Sequence, residues 1–420
     1  MTQSEYYISL FLMSLGFYPT RGGAELRFRR YLPRLRQRGV KTIVLSGTPP
    51  ARKIVESDFG EDWYQHQVGE VLPTETIEGT PVHRIRLPEH DSAKRSAMLA
   101  CELLRLCRRP NNRPDVVQLL TTLRPSIKPY LAKLQLLGIP IVYAHTSNVQ
   151  WPSNPIKRFI RRIGFRGICH HIDCIVASSS AAKEVLRQIG VRNRIEIIPN
   201  GVDLQRFQQV KHEHERFALR ASLGILDSAQ VIVFIGTINP LKGVDLLLEA
   251  WIYLAKRFPE AHLYLIGMRH DLNSPKLRDF KEKLDSLITA SQAANRVHFL
   301  GYISNVEDYL KVADIMAFPS RTEGMGNAVL EAMACGVATI LTPFIGLPPD
   351  FGKAGHEYLM AEYESKALAA SMERLLADQE LRLSIGKNAL LWVQQTMDVE
   401  RTLDRYAALY REIASIHRQE

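Results

Sequence analysis

Short apolar runs alternate with amphipathic stretches along the chain, and this alternation is the main guide to its architecture. In the first half the apolar runs fall at 7–14, 42–46, 116–120, 140–145 and 174–178, with helical periodicity over 24–37 and 126–137 between them. Strands separated by helices of that length predict a parallel, doubly wound sheet. A polar stretch at 208–216, without apolar period, follows Pro199-Asn200-Gly201-Val202-Asp203 and reads as a linker. A second alternation then begins at Val231-Ile232-Val233-Phe234-Ile235-Gly236 and continues at 261–267, 297–301, 315–319 and 338–342. The pattern predicts an α/β chain of two Rossmann-like domains, 1–205 and 206–420, with the last helix packing back on the N-terminal one. In such sheets ligands bind beyond the carboxyl ends of the strands, so motifs that follow strands carry the most information.

Composition narrows the picture. At 420 residues the chain fits two domains of the usual size, and 46% hydrophobic with 23% charged residues excludes a disordered chain. The five cysteines, Cys101, Cys107, Cys169, Cys174 and Cys335, are odd in number and form no CxxC pair, which points to a reducing, cytoplasmic compartment. No apolar stretch reaches the roughly 20 residues of a membrane span. The apolar run from Tyr6 to Leu15 is preceded by Glu5, where a signal peptide would carry positive charge, and reads as a buried first strand.

Charge is uneven. Residues 1–200 hold 30 Lys and Arg against 16 Asp and Glu, whereas residues 201–420 hold 24 against 28. A basic half can attract nucleic acid, anionic lipid or a phosphorylated acceptor. Nucleic acid is disfavoured, because no recognisable reading module is present. Two stretches, Arg27-Phe28-Arg29-Arg30-Tyr31-Leu32 and Lys157-Arg158-Phe159-Ile160-Arg161-Arg162-Ile163, interleave cations with large apolar groups and make a peripheral anionic membrane the expected contact.

Three segments after strands carry candidate chemistry. Gly22 and Gly23 follow the first strand and open a helix, where glycine lets backbone N–H groups approach a phosphate. Gly236-Thr237-Ile238-Asn239-Pro240-Leu241-Lys242-Gly243 lies between a strand and a helix, and Lys242 there can neutralise a diphosphate. It is not a Walker loop, since GxxxxGK[ST] is absent. The third, Glu323-Gly324-Met325-Gly326-Asn327-Ala328-Val329-Leu330-Glu331, sets one carboxylate at a loop tip and another eight residues on, within a helix. Ionised carboxylates only accept hydrogen bonds, which suits the vicinal hydroxyls of a sugar and a ribose. His145 ends an apolar strand. Cys169-His170-His171-Ile172-Asp173-Cys174 has metal-ligand residue types but straddles a helix end and a strand start, so no metal site is expected there. Asp-x-Asp is absent, which argues against a diphosphate gripped through a carboxylate-held metal.

Together these segments resemble the retaining glycosyltransferases of the GT-B fold, specifically glycosyltransferase family 4, over nearly the whole chain. The resemblance rests on Gly22-Gly23-Ala24-Glu25, Tyr143-Ala144-His145-Thr146, Ile198-Pro199-Asn200-Gly201-Val202-Asp203 through Phe207, and Lys242-Gly243. It rests further on Val297-His298-Phe299-Leu300-Gly301 and on Pro319-Ser320-Arg321-Thr322-Glu323-Gly324 through Glu331-Ala332-Met333-Ala334-Cys335-Gly336. It implies two domains facing a cleft, with a glycan or lipid-linked acceptor on the N-terminal domain and a UDP- or GDP-linked sugar on the C-terminal one, and no other cofactor. It also implies roles: Glu323 on the donor sugar, Glu331 on the ribose, Lys242 on the diphosphate with Gly22 and Gly23, and His145 beside the transferred sugar. Gly301, Tyr302 and Ile303 would lie near the base, and Gly324, Met325, Gly326, Asn327 and Ala328 would line the donor.

One position departs from the family, which usually has Arg where this chain has Thr237. Losing a guanidinium removes a bidentate phosphate contact, and Arg269 is the expected replacement cation. The departure keeps open a sugar-nucleotide-binding protein without catalysis. A GT-B-fold epimerase or phosphorylase would share the two-domain plan, but the glutamate pair at this spacing argues against it.

Overall fold

The structure is a computed structural model that describes residues 7–18, 23–48, 67–88, 90–109, 111–145, 154–268 and 277–419. Its packing divides the chain into two units, Met1–Pro199 with Thr402–Glu420, and Asn200–Arg401.

The N-terminal unit is built on β1 (Ile8–Ser14), β2 (Val40–Gly47), β3 (Glu75–Ile77), β4 (Thr80–Ile85), β5 (Val116–Leu120), β6 (Ile141–His145), β7 (Cys174–Ala177) and β8 (Arg194–Ile197). Between them run α1 (Gly23–Gln37), α2 (Ser92–Cys107), α3 (Lys128–Leu136), α4 (Pro155–Cys169) and α5 (Ser180–Gln188). The strands form one sheet in the order β3-β4-β2-β1-β5-β6-β7-β8, parallel except for the antiparallel β3–β4 pair. β5, β6 and β7 are buried at every residue, as parallel strands covered on both faces must be.

The C-terminal unit holds α6 (Glu213–Ser222), β9 (Gln230–Ile235), α7 (Val244–Leu254), β10 (Ala261–Ile266), α8 (Arg278–Ala290) and β11 (Val297–Gly301). There follow α9 (Val306–Val312), β12 (Ile315–Phe318), α10 (Asn327–Ala334), β13 (Ala338–Leu341), β14 (Leu359–Met360), α11 (Ser365–Ala377), α12 (Gln379–Thr396) and the start of α13 (Val399–Gln419). This sheet has the order β11-β10-β9-β12-β13-β14 and is parallel throughout. One core, around Leu247, Trp251, Leu263 and Met372, covers one face; a second, around Phe207, Leu310, Val329 and Val393, covers the other.

Two features differ from the sequence reading. The 208–216 stretch is not a free linker: α6 begins at Glu213, and Arg216 pairs with Asp314 across 2.9 Å. The chain joins the second unit at Asn200, where Val202 bridges to Asp398. In the stretch 27–32, Phe28, Tyr31 and Leu32 are at most 2% exposed, so these apolar groups serve the core and are not offered to a membrane.

From Thr402 onward α13 belongs to the N-terminal unit. Tyr406 meets the Phe28 ring edge-on at 5.8 Å, Arg194 pairs with Glu412, and the buried Tyr410 hydroxyl donates to the side-chain oxygen of Gln118 on β5. Tyr410→Phe removes a donor from a buried acceptor, a loss that costs about 1–3 kcal/mol. Thermal unfolding should therefore shift to lower temperature with the far-ultraviolet spectrum unchanged, and an unshifted midpoint would show that the bond contributes nothing.

Candidate functional site

Each sheet has one place where neighbouring connections leave in opposite directions: between β1 and β5 in the first, and between β9 and β12 in the second. Such switch points open a crevice at the carboxyl ends of the strands. Most of the residues singled out from sequence follow strands at or next to these two points.

In the C-terminal unit β9 and β12 pair at only two positions, Ile232–Ile315 and Val233–Met316, and then separate. The loop after β9 runs along the end of β12. Asn239 shapes it, its side-chain oxygen accepting from Leu241 N at 2.9 Å and Lys242 N at 3.2 Å. Gly243 adopts φ 68°, and a Cβ there would stand 2.0 Å from the Pro319 carbonyl oxygen, so only glycine permits this approach. Arg321 N donates to Leu241 O at 2.9 Å and locks the two loops together.

That locking brings two predicted residues into contact. Lys242 Nζ pairs with Glu323 Oε1, their side chains 22% and 14% exposed. Ser320, fully buried, donates to the same carboxylate oxygen at 2.9 Å. Glu323 N is itself held by Ile345 O at 3.0 Å. A cation, a carboxylate and a hydroxyl thus meet at the carboxyl end of β12, in partial burial where electrostatic interactions are stronger than in water.

Gly324, Met325 and Gly326 carry the chain into α10. Gly326 is its N-cap at φ 71°, with no side-chain cap. Met325 does not offer its side chain to the loop surface: it is 3% exposed, packs in the core, and its sulfur accepts from Asn200 N at 3.4 Å. Asn327 and Ala328 are partly buried at the helix start, where Asn327 accepts from the Asn200 amide at 2.8 Å. Glu331 follows one turn later, also partly buried.

The other strand ends supply backbone. Gly236, Gly267 and Gly301 stand in a row: Gly236 N donates to Ile266 O at 2.9 Å and Gly267 N to Gly301 O at 2.8 Å. A Cβ on Gly267 would lie 1.9 Å from Gly236 O. Thr237 and Ile303 are partly buried, and Tyr302 is exposed. Arg269, the expected substitute for the missing guanidinium, and Gly22 lie outside the described residues; Gly23 is the first residue of α1.

In the N-terminal unit His145 ends β6, 3% exposed, with Tyr143 Oη 3.3 Å from its Nδ1. Burial lowers its pKa to about 4 from an ordinary 6.5, so the ring is neutral at physiological pH. Among the described residues no group of three His, Cys, Asp or Glu could hold a metal ion. In the 169–174 segment Asp173 instead accepts from Ile141 N at 2.7 Å.

Sequence reasoning missed Ser320, Asn239 and the pair Arg321–Tyr363, in which Arg321 Nε donates to the Tyr363 hydroxyl at 2.6 Å. Ser320 was within reach, lying directly after a strand end and three residues before Glu323. Tyr363 carried no signal, since it arrives from 42 residues away.

Two doubly wound sheets, parallel but for the β3–β4 pair, with loop glycines and a lysine–glutamate ion pair at the strand ends define a GT-B-type architecture. The family described as Glycosyltransferase Family 4 matches residues 21–206, and that described as Glycosyl transferases group 1 matches residues 215–392. The chain belongs to glycosyltransferase family 4. It is 26% identical over 273 residues to the D-inositol 3-phosphate glycosyltransferase of Jonesia denitrificans, covering 61% of this chain and 63% of that protein. The chain therefore spans less than two thirds of that relative's length. It is 25% identical over 402 residues to the N-acetyl-alpha-D-glucosaminyl L-malate synthase of Bacillus anthracis, covering 94% and 95%. Among solved structures, HepE of Anabaena in complex with UDP and glucose superposes with a TM-score of 0.73 at 20% identity, over 96% of this chain and 99% of that one.

The neutral, buried His145 has a consequence for stability. Below pH 6.5 the unfolded chain takes up a proton that the folded chain refuses until about pH 4, so stability falls as pH drops through that window. Roughly 3 kcal/mol is at stake, at 1.36 kcal/mol per pH unit. Chemical denaturation between pH 7 and pH 4.5 should show this loss, and His145→Gln should flatten it; equal slopes would remove His145 as the cause.

Proposed function

We propose that this chain transfers a sugar from a nucleoside-diphosphate sugar, UDP- or GDP-linked, to a glycan or lipid-linked acceptor, with retention of configuration and without a metal ion or other cofactor. The observation that carries the reading is the contact of Lys242 with Glu323 at the β9–β12 switch point, with Glu331 eight residues further on α10. One cation and two acceptor-only carboxylates fit a diphosphate flanked by two sugars. Lys242 would neutralise the diphosphate after exchanging Glu323 for it, Glu323 would hold the hydroxyls of the donor sugar, and Glu331 those of the ribose. Ser320 would keep Glu323 in place during that exchange.

The chemistry asked of the protein is chiefly electrostatic. The acceptor hydroxyl oxygen bonds to the anomeric carbon as the bond from that carbon to the diphosphate oxygen breaks, and the proton passes to the leaving phosphate. Lys242 and backbone N–H groups would stabilise the charge that develops there. Gly22, Gly23 and Gly324 through Ala328 would supply backbone to the donor, Gly301, Tyr302 and Ile303 would border the base, and neutral His145 would lie beside the transferred sugar. No helix among the described residues is long and apolar enough to cross a membrane. We place the enzyme in the cytoplasm, peripherally at the inner face of a membrane that presents its acceptor.

A second reading, a sugar-nucleotide-binding protein without turnover, is favoured by Thr237, which supplies no charge to the phosphates. Thermal-shift screening against UDP, GDP and their sugars separates both readings from an unrelated function: a ligand at 100 times its dissociation constant stabilises by about 2.7 kcal/mol. With the donor found, Glu323→Gln should lower kcat with little change in donor affinity, while Glu331→Ala should weaken nucleotide binding about tenfold, as loss of hydrogen bonds to a charged group implies. Unchanged kcat in the first and unchanged affinity in the second would remove the assignment. Activity should also survive EDTA; complete loss restored by magnesium or manganese would sink metal independence.

A further inference from the structure

Asn200, the first residue of the C-terminal unit, makes two contacts with the loop that runs from Glu323 into α10. Its backbone N donates to Met325 Sδ at 3.4 Å, and its side-chain Nδ2 donates to Asn327 Oδ1 at 2.8 Å. The backbone that carries Asn200 is pinned two residues later, where Val202 N donates to Met397 O at 2.7 Å and Val202 O accepts from Val399 N at 3.0 Å. The two contacts have separate effects. The backbone one exists whatever side chain stands at position 200, and it holds the loop in place. The side-chain one decides which way round the Asn327 amide lies.

A carboxamide accepts on one branch and donates on the other. Because Asn200 presents N–H groups, Asn327 answers with its oxygen, and its own Nδ2 lies on the opposite branch. Among the described residues that Nδ2 has no hydrogen-bond partner. Asn327 opens α10, directly after Gly326, which as N-cap has no side chain to take up the first N–H groups of the helix. The amide therefore adds its two protons to a place that already offers only donors. Turned the other way, it would set an acceptor oxygen among them and repel an anion.

We propose that Asn200 is a positioning residue for the nucleoside diphosphate, turning the Asn327 amide so that its Nδ2 donates to the diphosphate oxygens. The proposal rests on the nucleotide-sugar reading above and deepens it: Asn327 touches the ligand, and Asn200 acts only through Asn327. Thr237 supplies no charge to the phosphates, so neutral donors of this kind carry more of their binding. A hydrogen bond to an ionised acceptor is about twice as strong as one between neutral groups, which makes the orientation of a single amide worth fixing from a remote part of the chain.

The test measures binding of UDP and GDP, with uridine and guanosine as controls that lack phosphates, to the full chain by calorimetry. In Asn200→Asp a carboxylate of the same shape can only accept, so the Asn327 amide turns its Nδ2 toward it and its oxygen toward the ligand. Affinity for the diphosphate that binds should fall about tenfold or more, as loss of a hydrogen bond to a charged group implies, with the nucleoside unaffected. Asn200→Ala leaves the amide free to turn either way and should cost less than Asn200→Asp. In an Asn327→Ala background, Asp and Ala at position 200 should bind equally, because the relay has no second member. An affinity unchanged by Asn200→Asp overturns the proposal. So does a larger loss with Ala than with Asp, which would make Asn200 a matter of shape, and so does an Asp penalty that persists without Asn327, which would make it direct repulsion. If Asn200→Asp does not fold, Asn327→Asp carries the same test: its carboxylate accepts from Asn200 and turns the second oxygen outward, and an unchanged diphosphate affinity overturns the proposal equally. Failure of the unaltered protein to bind either diphosphate removes the nucleotide-sugar reading and this inference with it, whereas binding that none of these substitutions alters removes the inference alone.

Discussion

The candidate site depends on how closely two strand ends approach each other. Gly243 passes the Pro319 carbonyl at a distance that excludes any Cβ, and the Arg321 amide then bonds to Leu241. These contacts fix the loop after β9 against the end of β12, so that Lys242 and Glu323, 81 residues apart, share one partly buried position. A larger residue at Gly243 would push the loops apart and dissolve the ion pair at the same stroke. The separation of β9 from β12 after two pairs is the other half of the constraint, because a full ladder would close the crevice in which these side chains meet.

Pairing Lys242 with Glu323 settles a problem that burial creates. A lone cation or carboxylate at this depth would carry an uncompensated desolvation cost, while the pair, with Ser320 donating to the same oxygen, satisfies both groups. In the proposed reading an incoming diphosphate would offer Lys242 a stronger anion, and sugar hydroxyls would offer Glu323 donors in return for the ammonium. In that exchange the buried Ser320 hydroxyl is the contact that need not change, which is why a residue with no charge of its own belongs in the description of the site.

Five strands of each sheet and the loops that follow them were legible because their signals are local: apolar runs, glycines, and a lysine or glutamate directly after a strand. What was not legible depends on partners remote in sequence. β3 and β14 are only three and two residues long and carry no period of their own; they exist because β4 and β13 offer them an edge. The polar 208–216 stretch looked like a linker because its anchoring is electrostatic, through Arg216 and Asp314, and not apolar. Met325 sits inside the most informative motif, yet its side chain belongs to the core; glycine neighbours announced an open backbone but not the direction of the residue between them.

Helices α1 and α4 show the same limit in its sharpest form. Both interleave arginines with aromatic and aliphatic residues, and from sequence they made equal claims to a lipid surface. In α1 the claim fails because Tyr406, from the far end of the chain, lays its ring against Phe28 at 5.8 Å and closes over that face together with Tyr31. Periodicity specifies that a stripe exists and how wide it is; it does not specify what covers it. α4 has its covered face too, in Phe165 and Ile168, and so its stability does not depend on Ile156, Phe159, Ile160 and Ile163, which are exposed. Groups of that size left in water on a helix already anchored by a different face add nothing to folding. The difference between the two helices is therefore one of tertiary coverage alone, and coverage is what turns one basic amphipathic stretch into core and leaves the other facing outward.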